Sequence, residues 1–185
     1  MRKNTMNTQT LVKLALMTAL SLVLLLLLRF PFPPAPFLVY DPADVPIYIS
    51  AFAFGPIPGL LVTFVVCFIQ AFMLGGDGLY GFLMHFVATG VVAVVIGAVY
   101  NRNKTRKTAG RALIIGVILT TAIMCVMNIY VTSAFMGAPK DVVIGMLIPI
   151  IIPFNLFKAG VNSILTFILY KSISRFLHND TRTSR

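Results

Sequence analysis

Glutamate and tryptophan are both absent from this chain of 185 residues, whose five acidic side chains are all aspartates. Without glutamate, and with so few acids, a mechanism built on paired carboxylates has little to draw on. No Walker sequence, no HExxH pair and no nucleophile elbow occurs. The chain is therefore not expected to be an enzyme, no cofactor or metal is expected, and uphill transport would need a partner or an ion gradient. The two cysteines, Cys67 and Cys125, lack metal-like spacing and fall inside apolar stretches, so they are read as reduced, buried, small residues.

What the chain has in abundance is apolar sequence. Hydrophobic residues make up 58% of it and the mean hydropathy is +0.93, well above a soluble domain, with the apolar residues gathered in long blocks. The expected class is an all-α, multi-pass membrane protein forming one transmembrane domain. A net charge of +10 would suit a nucleic-acid binder, but the placement of the charges rejects that reading. Twelve of the fifteen lysines and arginines sit in three clusters: Arg2, Lys3 and Lys13; Arg102 to Arg111 in "NRNKTRKTAGR"; and Lys171, Arg175, Arg182 and Arg185. Basic clusters at the ends of apolar blocks mark cytoplasmic flanks.

Parity then counts the crossings. Between the first two clusters lie apolar blocks at 11–28, 45–74 and 79–100, and an even number of spans is required. The middle block is long for one span and "GPIPG" (55–59) interrupts it, so it divides there. Two more blocks, 112–134 and 143–170, return the chain to the cytoplasm. The expectation is a six-helix bundle with helices near 10–28, 45–54, 59–74, 79–100, 112–134 and 143–171, both termini inside and a tail at 172–185. The second helix is too short to span alone and should be shielded by its neighbours. The N-terminus resembles a secretory signal but is read as a retained helix, because no small-residue cleavage site follows.

Six of the eleven prolines fall in "RFPFPPAPFLVYDPADVPIY" (29–48). Proline fixes its own φ and restricts its predecessor, so a stiff, extended outer loop is expected. Its aromatics suit either a lid over a cavity or an interfacial loop. "GGDGLYG" (75–81) is expected to be a flexible outer turn.

"IIPFNLFKAGVNSIL" (151–165) raises the functional question. Asn155, Lys158 and Asn162 are spaced i, i+3 and i+7, giving an otherwise apolar helix one polar face. Thirteen residues separate Lys158 from Lys171, roughly 20 Å of helix, which places the ammonium deep in a core of about 30 Å. A lysine near the centre of a span costs about 2.5–3.5 kcal/mol. No acid falls within the spans to pair with it; Asp41 or Asp44 could reach it if the proline-rich loop folded over. On the fifth helix Asn128, with Cys125 and Thr132, marks a second polar site. Such groups line an interior or a wet cavity, so Lys158 is read as a ligand-binding residue. Asn162 fits interhelical hydrogen bonding or a ligand equally well. His85 lies on an apolar face and is read as a hydrogen-bonded structural histidine.

"YDPADVPIYISAFAFGPIPGLLV" together with "IPFNLFKAG" resembles the substrate-binding S components of energy-coupling-factor (ECF) vitamin transporters, nearest the riboflavin-specific branch. The resemblance implies high-affinity capture of a vitamin and delivery by docking on a shared module of two ATPases and a transmembrane coupling protein. It points to Asn128, Asn155 and Lys158 as polar contacts to a flavin, with Tyr40, Asp41 and Asp44 of the first loop as further ligand-binding candidates. Ala15 and Ala19 match the family's small-x-x-x-small pattern for docking on the coupling protein. The sequence also departs from the riboflavin branch. Where relatives carry a glutamate and a lysine in the third helix, this chain reads "TFVVCFIQ", ending at Gln70. His85 stands near where the fourth helix of relatives often begins with asparagine. Another vitamin therefore stays open, pantothenate among them because its carboxylate could pair with Lys158, as does a stand-alone ion-coupled carrier.

Overall fold

The computed structural model describes residues 8–75 and 77–179, with the side chains of 174–179 excepted. Of the basic residues counted above, Arg2, Lys3, Arg182 and Arg185 lie outside the described residues, as does the side chain of Arg175. The described chain forms six helices and one two-stranded hairpin.

Helix α1 (Thr8–Leu27) buries Leu14, Met17, Ser21 and Leu25, which repeat at three- and four-residue steps along one face. Its other faces expose Leu11, Leu16, Leu20 and Val23, apolar side chains that suit a lipid surround. The proline-rich segment then folds into β1 (Phe30–Phe32) and β2 (Ala35–Tyr40), paired antiparallel with Phe30 opposite Tyr40. An extended segment was expected; its pairing into a ribbon was not. Prolines are tolerated because both strands of a two-stranded ribbon are edges, with N–H groups to spare.

Helices α2 (Asp44–Phe54) and α3 (Pro56–Phe72) meet at Gly55, whose φ of +104° breaks the helix. Pro56 occupies the first turn of α3, where a missing N–H is harmless, so that helix starts ahead of the expected 59. All residues of α2 from Val45 to Ala53 are buried, which is how an eleven-residue helix avoids lipid. At Gly59 a Cβ would stand 2.7 Å from Ala51 Cβ, so the two short helices cross in close contact.

Helix α4 (Gly78–Arg102) leads to α5 (Arg106–Met136), which contains a π-helical stretch at Asn128–Thr132. The α5 helix also starts earlier than the apolar pattern indicates. Thr105 caps it by accepting from the Thr108 N–H at 3.2 Å, and the exposed Arg106, Lys107 and Arg111 ride on its first turns. Helix α6 opens at Lys140–Met146, passes through a second π-helical stretch at Leu147–Ile151, and continues as Ile152–Asn179. Helices α1, α4, α5 and α6 are long and apolar enough to cross a membrane.

Near the α4–α5 turn the bundle is dry. Phe52 packs on Tyr100 and Tyr170 with ring centroids 4.6 and 5.7 Å away, beside Val92, Ile96, Ala109 and Ala112. The hairpin end is built differently, and the polar residues gather there.

Candidate functional site: a cavity beneath the hairpin

Lys158 on α6 is 8% exposed, and it does have a carboxylate mate. Its Nζ donates to Asp41 Oδ2 at 2.8 Å and to the Val39 carbonyl at 3.1 Å. The mate comes not from a spanning helix but from the proline-rich segment, which folds over as the sequence allowed and delivers Asp41 from a position 117 residues away. Burial disfavours the charge on Asp41, yet the Lys158 ammonium holds its carboxyl below the usual carboxylate range.

The corner "DPAD" (41–44) is fastened on every side. Asn162 Nδ2 of α6 donates to the Asp41 carbonyl and to Asp44 Oδ2, both at 3.1 Å. Thr89 Oγ1 of α4 donates to Asp44 Oδ1 at 3.0 Å, and Ser21 Oγ of α1 donates to the Ala43 carbonyl at 2.9 Å. Asp41 Oδ1 accepts from the Ala43 N–H at 3.2 Å. Three helices therefore hold the root of the hairpin. Of the two roles open to Asn162, the structure gives it that of a fastener between elements.

Beneath the hairpin lies a cavity of about 260 Å³, just under the ~300 Å³ at which small-molecule sites begin. Residues 36–39 of the hairpin roof it. Asn155, Lys158 and Phe154 of α6 and Asn128 and Met124 of α5 form one wall; Gln70 of α3 and Met84 and His85 of α4 form another. Arg29, Asp41, Asp77, Tyr80, Gly81, Thr132 and Phe135 complete the lining.

The amides are partly used. Asn155 Nδ2 donates to the Ile151 carbonyl at 2.8 Å, which fixes the side chain and leaves Oδ1 as an acceptor. Asn128 Nδ2 donates to the Met124 carbonyl at 2.8 Å, and its Oδ1 accepts from Thr132 Oγ1 at 3.0 Å. Asn128 opens the π-helical stretch of α5, and such stretches re-aim side chains and often mark functional sites. Lys158 uses two of its three donors within the protein. The wall thus offers a donor and acceptor edge beside an apolar slot of Phe37, Leu38, Phe154 and Met124, suited to a flat molecule with one polar edge.

Of the ligand-binding candidates from the sequence, Asn128, Asn155, Lys158 and Asp41 come together on this cavity. Tyr40 and Asp44 stand behind it. Tyr40 packs on Phe30 and Phe157, with ring centroids 4.9 and 5.8 Å away, and so steadies the hairpin. Asp44 is held by Thr89 and Asn162. Ala15 and Ala19 do not line the cavity; both are exposed on α1 beside Leu16 and Leu20. His85 is half-buried and lines the cavity, and no hydrogen bond engages it among the described residues, which corrects its reading as a hydrogen-bonded structural residue. Gln70 was noted as a departure yet not as a wall residue; a lone amide at the end of the apolar run "TFVVCFIQ" was the available signal.

Residues 9–170 match the family described as ECF transporter, substrate-specific component. The chain belongs to that family. A solved structure described as the S component of a bacterial ECF transporter aligns with a TM-score of 0.78 at 30% identity, covering 92% of this chain and 98% of the other. In sequence, this S component is 29% identical over 181 residues to the riboflavin transporter RibU of Staphylococcus aureus, covering 94% of this chain and 95% of the relative. It is 30% identical over 177 residues to the riboflavin transporter RibU of Streptococcus thermophilus, with 89% and 84% covered. The family is one of transporter components, not of enzymes, and membership implies a multi-pass membrane protein that takes a vitamin and works with an ECF module.

Proposed function

We propose that this S component captures riboflavin from outside the cell and delivers it inward by docking on two ATPases and a transmembrane coupling protein. The observation that carries the reading is the cavity wall on which Asn155 Oδ1 and the Lys158 ammonium stand side by side under the hairpin. The pyrimidine edge of an isoalloxazine presents carbonyl acceptors and an N–H donor. Lys158 and the spare Asn128 N–H answer the carbonyls, Asn155 Oδ1 answers the N–H, and Phe37 and Phe154 flank the ring. Asp41 keeps the ammonium oriented and neutralises it, which favours an uncharged guest. The pantothenate alternative rested on an unpaired Lys158, and Asp41 already meets that charge.

In this reading the hairpin is the lid, both termini are cytoplasmic, and the Ala15 and Ala19 face of α1 meets the coupling protein. Mass spectrometry of small molecules released from detergent-purified protein tests the substrate: riboflavin is expected, and a different vitamin in its place overturns the assignment. Uptake into vesicles should require the ATPase module and ATP. Uptake by this chain alone, driven by a proton or sodium gradient, would reject the delivery mechanism.

A further inference from the structure

Five lysines and arginines crowd the turn between α4 and α5, within "NRNKTRKTAGR" (101–111). Arg102, Lys104, Arg106, Lys107 and Arg111 are all exposed, and none has an ion-pair partner among the described residues. The four described aspartates are out of reach. Asp41, Asp44 and Asp77 belong to the cavity end, and Asp141 opens α6, the whole length of α5 away. Like charges this close repel one another, and the N-terminal end of α5, whose first turn holds no acid, adds to the repulsion. Arg106 turns toward α6, where its guanidinium lies 5.5 Å from the centre of the Phe167 ring. Lys107 and Arg111 occupy a different side of α5, which continues into Ile114 and Ile118. At 100° per residue these four positions fall within about 60° of one another. Both isoleucines are 63% exposed, so two unpaired cations stand directly above an open apolar stripe.

We propose that Lys107 and Arg111 bind the headgroup of an anionic phospholipid, with Ile114 and Ile118 lying against its acyl chain. Along the helix the footprint has the order that a lipid has: charge first, apolar surface next. Helix α5 is long and apolar enough to cross the membrane, so its first exposed apolar turn meets acyl chains. Cations one turn earlier then stand at headgroup depth, where an anionic lipid attracts each of them. A free anion would satisfy the charges but has no use for the isoleucines. Arg102 and Lys104 raise the local positive potential from the turn without sharing the stripe. The site is independent of which vitamin fills the cavity.

The test is native mass spectrometry of the purified full chain in detergent, titrated with phosphatidylglycerol or with phosphatidylcholine of the same acyl chains. Each cation near an anionic headgroup favours it about fivefold, so the wild-type protein should bind phosphatidylglycerol about thirtyfold more tightly. Lys107→Gln with Arg111→Gln should cut that preference to about threefold or less. Lys107→Arg with Arg111→Lys keeps both charges and should keep the preference, which separates lost charge from misfolding. Ile114→Ala with Ile118→Ala should weaken both lipids several-fold, as a site for a free anion would not. Lys140→Gln, at the opposite end of the bundle, should change neither affinity. Equal binding of the two lipids by the wild-type protein would overturn the proposal. So would a preference that survives loss of both charges, an unchanged affinity in the isoleucine variant, or an equal loss in Lys140→Gln.

Discussion

The two ends of the bundle follow opposite rules. Near the α4–α5 turn, packing is dry and regular: Phe52, Tyr100 and Tyr170 interlock, and Gly97 lets α4 approach so closely that a Cβ there would stand 3.1 Å from the Ala51 carbonyl. At the hairpin end both long helices, α5 and α6, break into π-helical stretches, prolines interrupt the ladder, and an ion pair is buried. The contrast shows how a small membrane protein affords a polar site. One end supplies rigidity through apolar contact, and the other spends regularity to aim amides and charges at a cavity.

The largest effect should come from the ion pair. Lys158→Ala leaves Asp41 buried without its cation, a change that costs about 3–5 kcal/mol in comparable cases, so both thermal stability and flavin binding should fall. The pair Lys158→Met with Asp41→Leu should recover much of the melting temperature in detergent but not the binding. Restored flavin affinity in that double variant would show that the ammonium belongs to the scaffold and not to the site.

Next in size is Thr89→Val, which removes the donor to Asp44 and loosens the root of the hairpin. A loss of about 1 kcal/mol in stability is expected, with riboflavin dissociating several-fold faster in stopped-flow measurements. At the dry end, Gly59→Ala forces α2 and α3 apart against Ala51 and should cost about 1–3 kcal/mol while leaving the flavin affinity of the folded protein unchanged. A matching loss of affinity would show that the two ends are coupled. Ala15→Leu with Ala19→Leu should have the smallest effect on binding and stability, none measurable, yet abolish uptake by vesicles that contain the complete transporter.

Much of this architecture could be read from residue order. Apolar block lengths and basic clusters gave six helices, and "GPIPG" located the break between the two short ones. The polar face of Asn155, Lys158 and Asn162 followed from helical periodicity. Other features were hidden for identifiable reasons. Helix α5 begins within a charged stretch because Thr105 caps it, and charge in a first turn does not prevent a helix in water. Strand pairing in 29–40 was masked by prolines that forbid helices without specifying a partner. His85 and Gln70 looked like isolated polar residues on apolar helices, since nothing in their neighbourhood along the chain reveals a shared cavity.

Sequence by itself determined that this chain lives in a membrane, how many helices it forms, and that a charge lies deep within one of them, because hydropathy and helical period are local properties. Tertiary structure decided whom that charge meets. The contacts of Lys158 with Asp41 and Val39, and the enclosure of Gln70 with Asn155 around one hollow, join residues far apart in the chain. Such contacts form when burial makes unpaired polar groups too costly to leave unmatched.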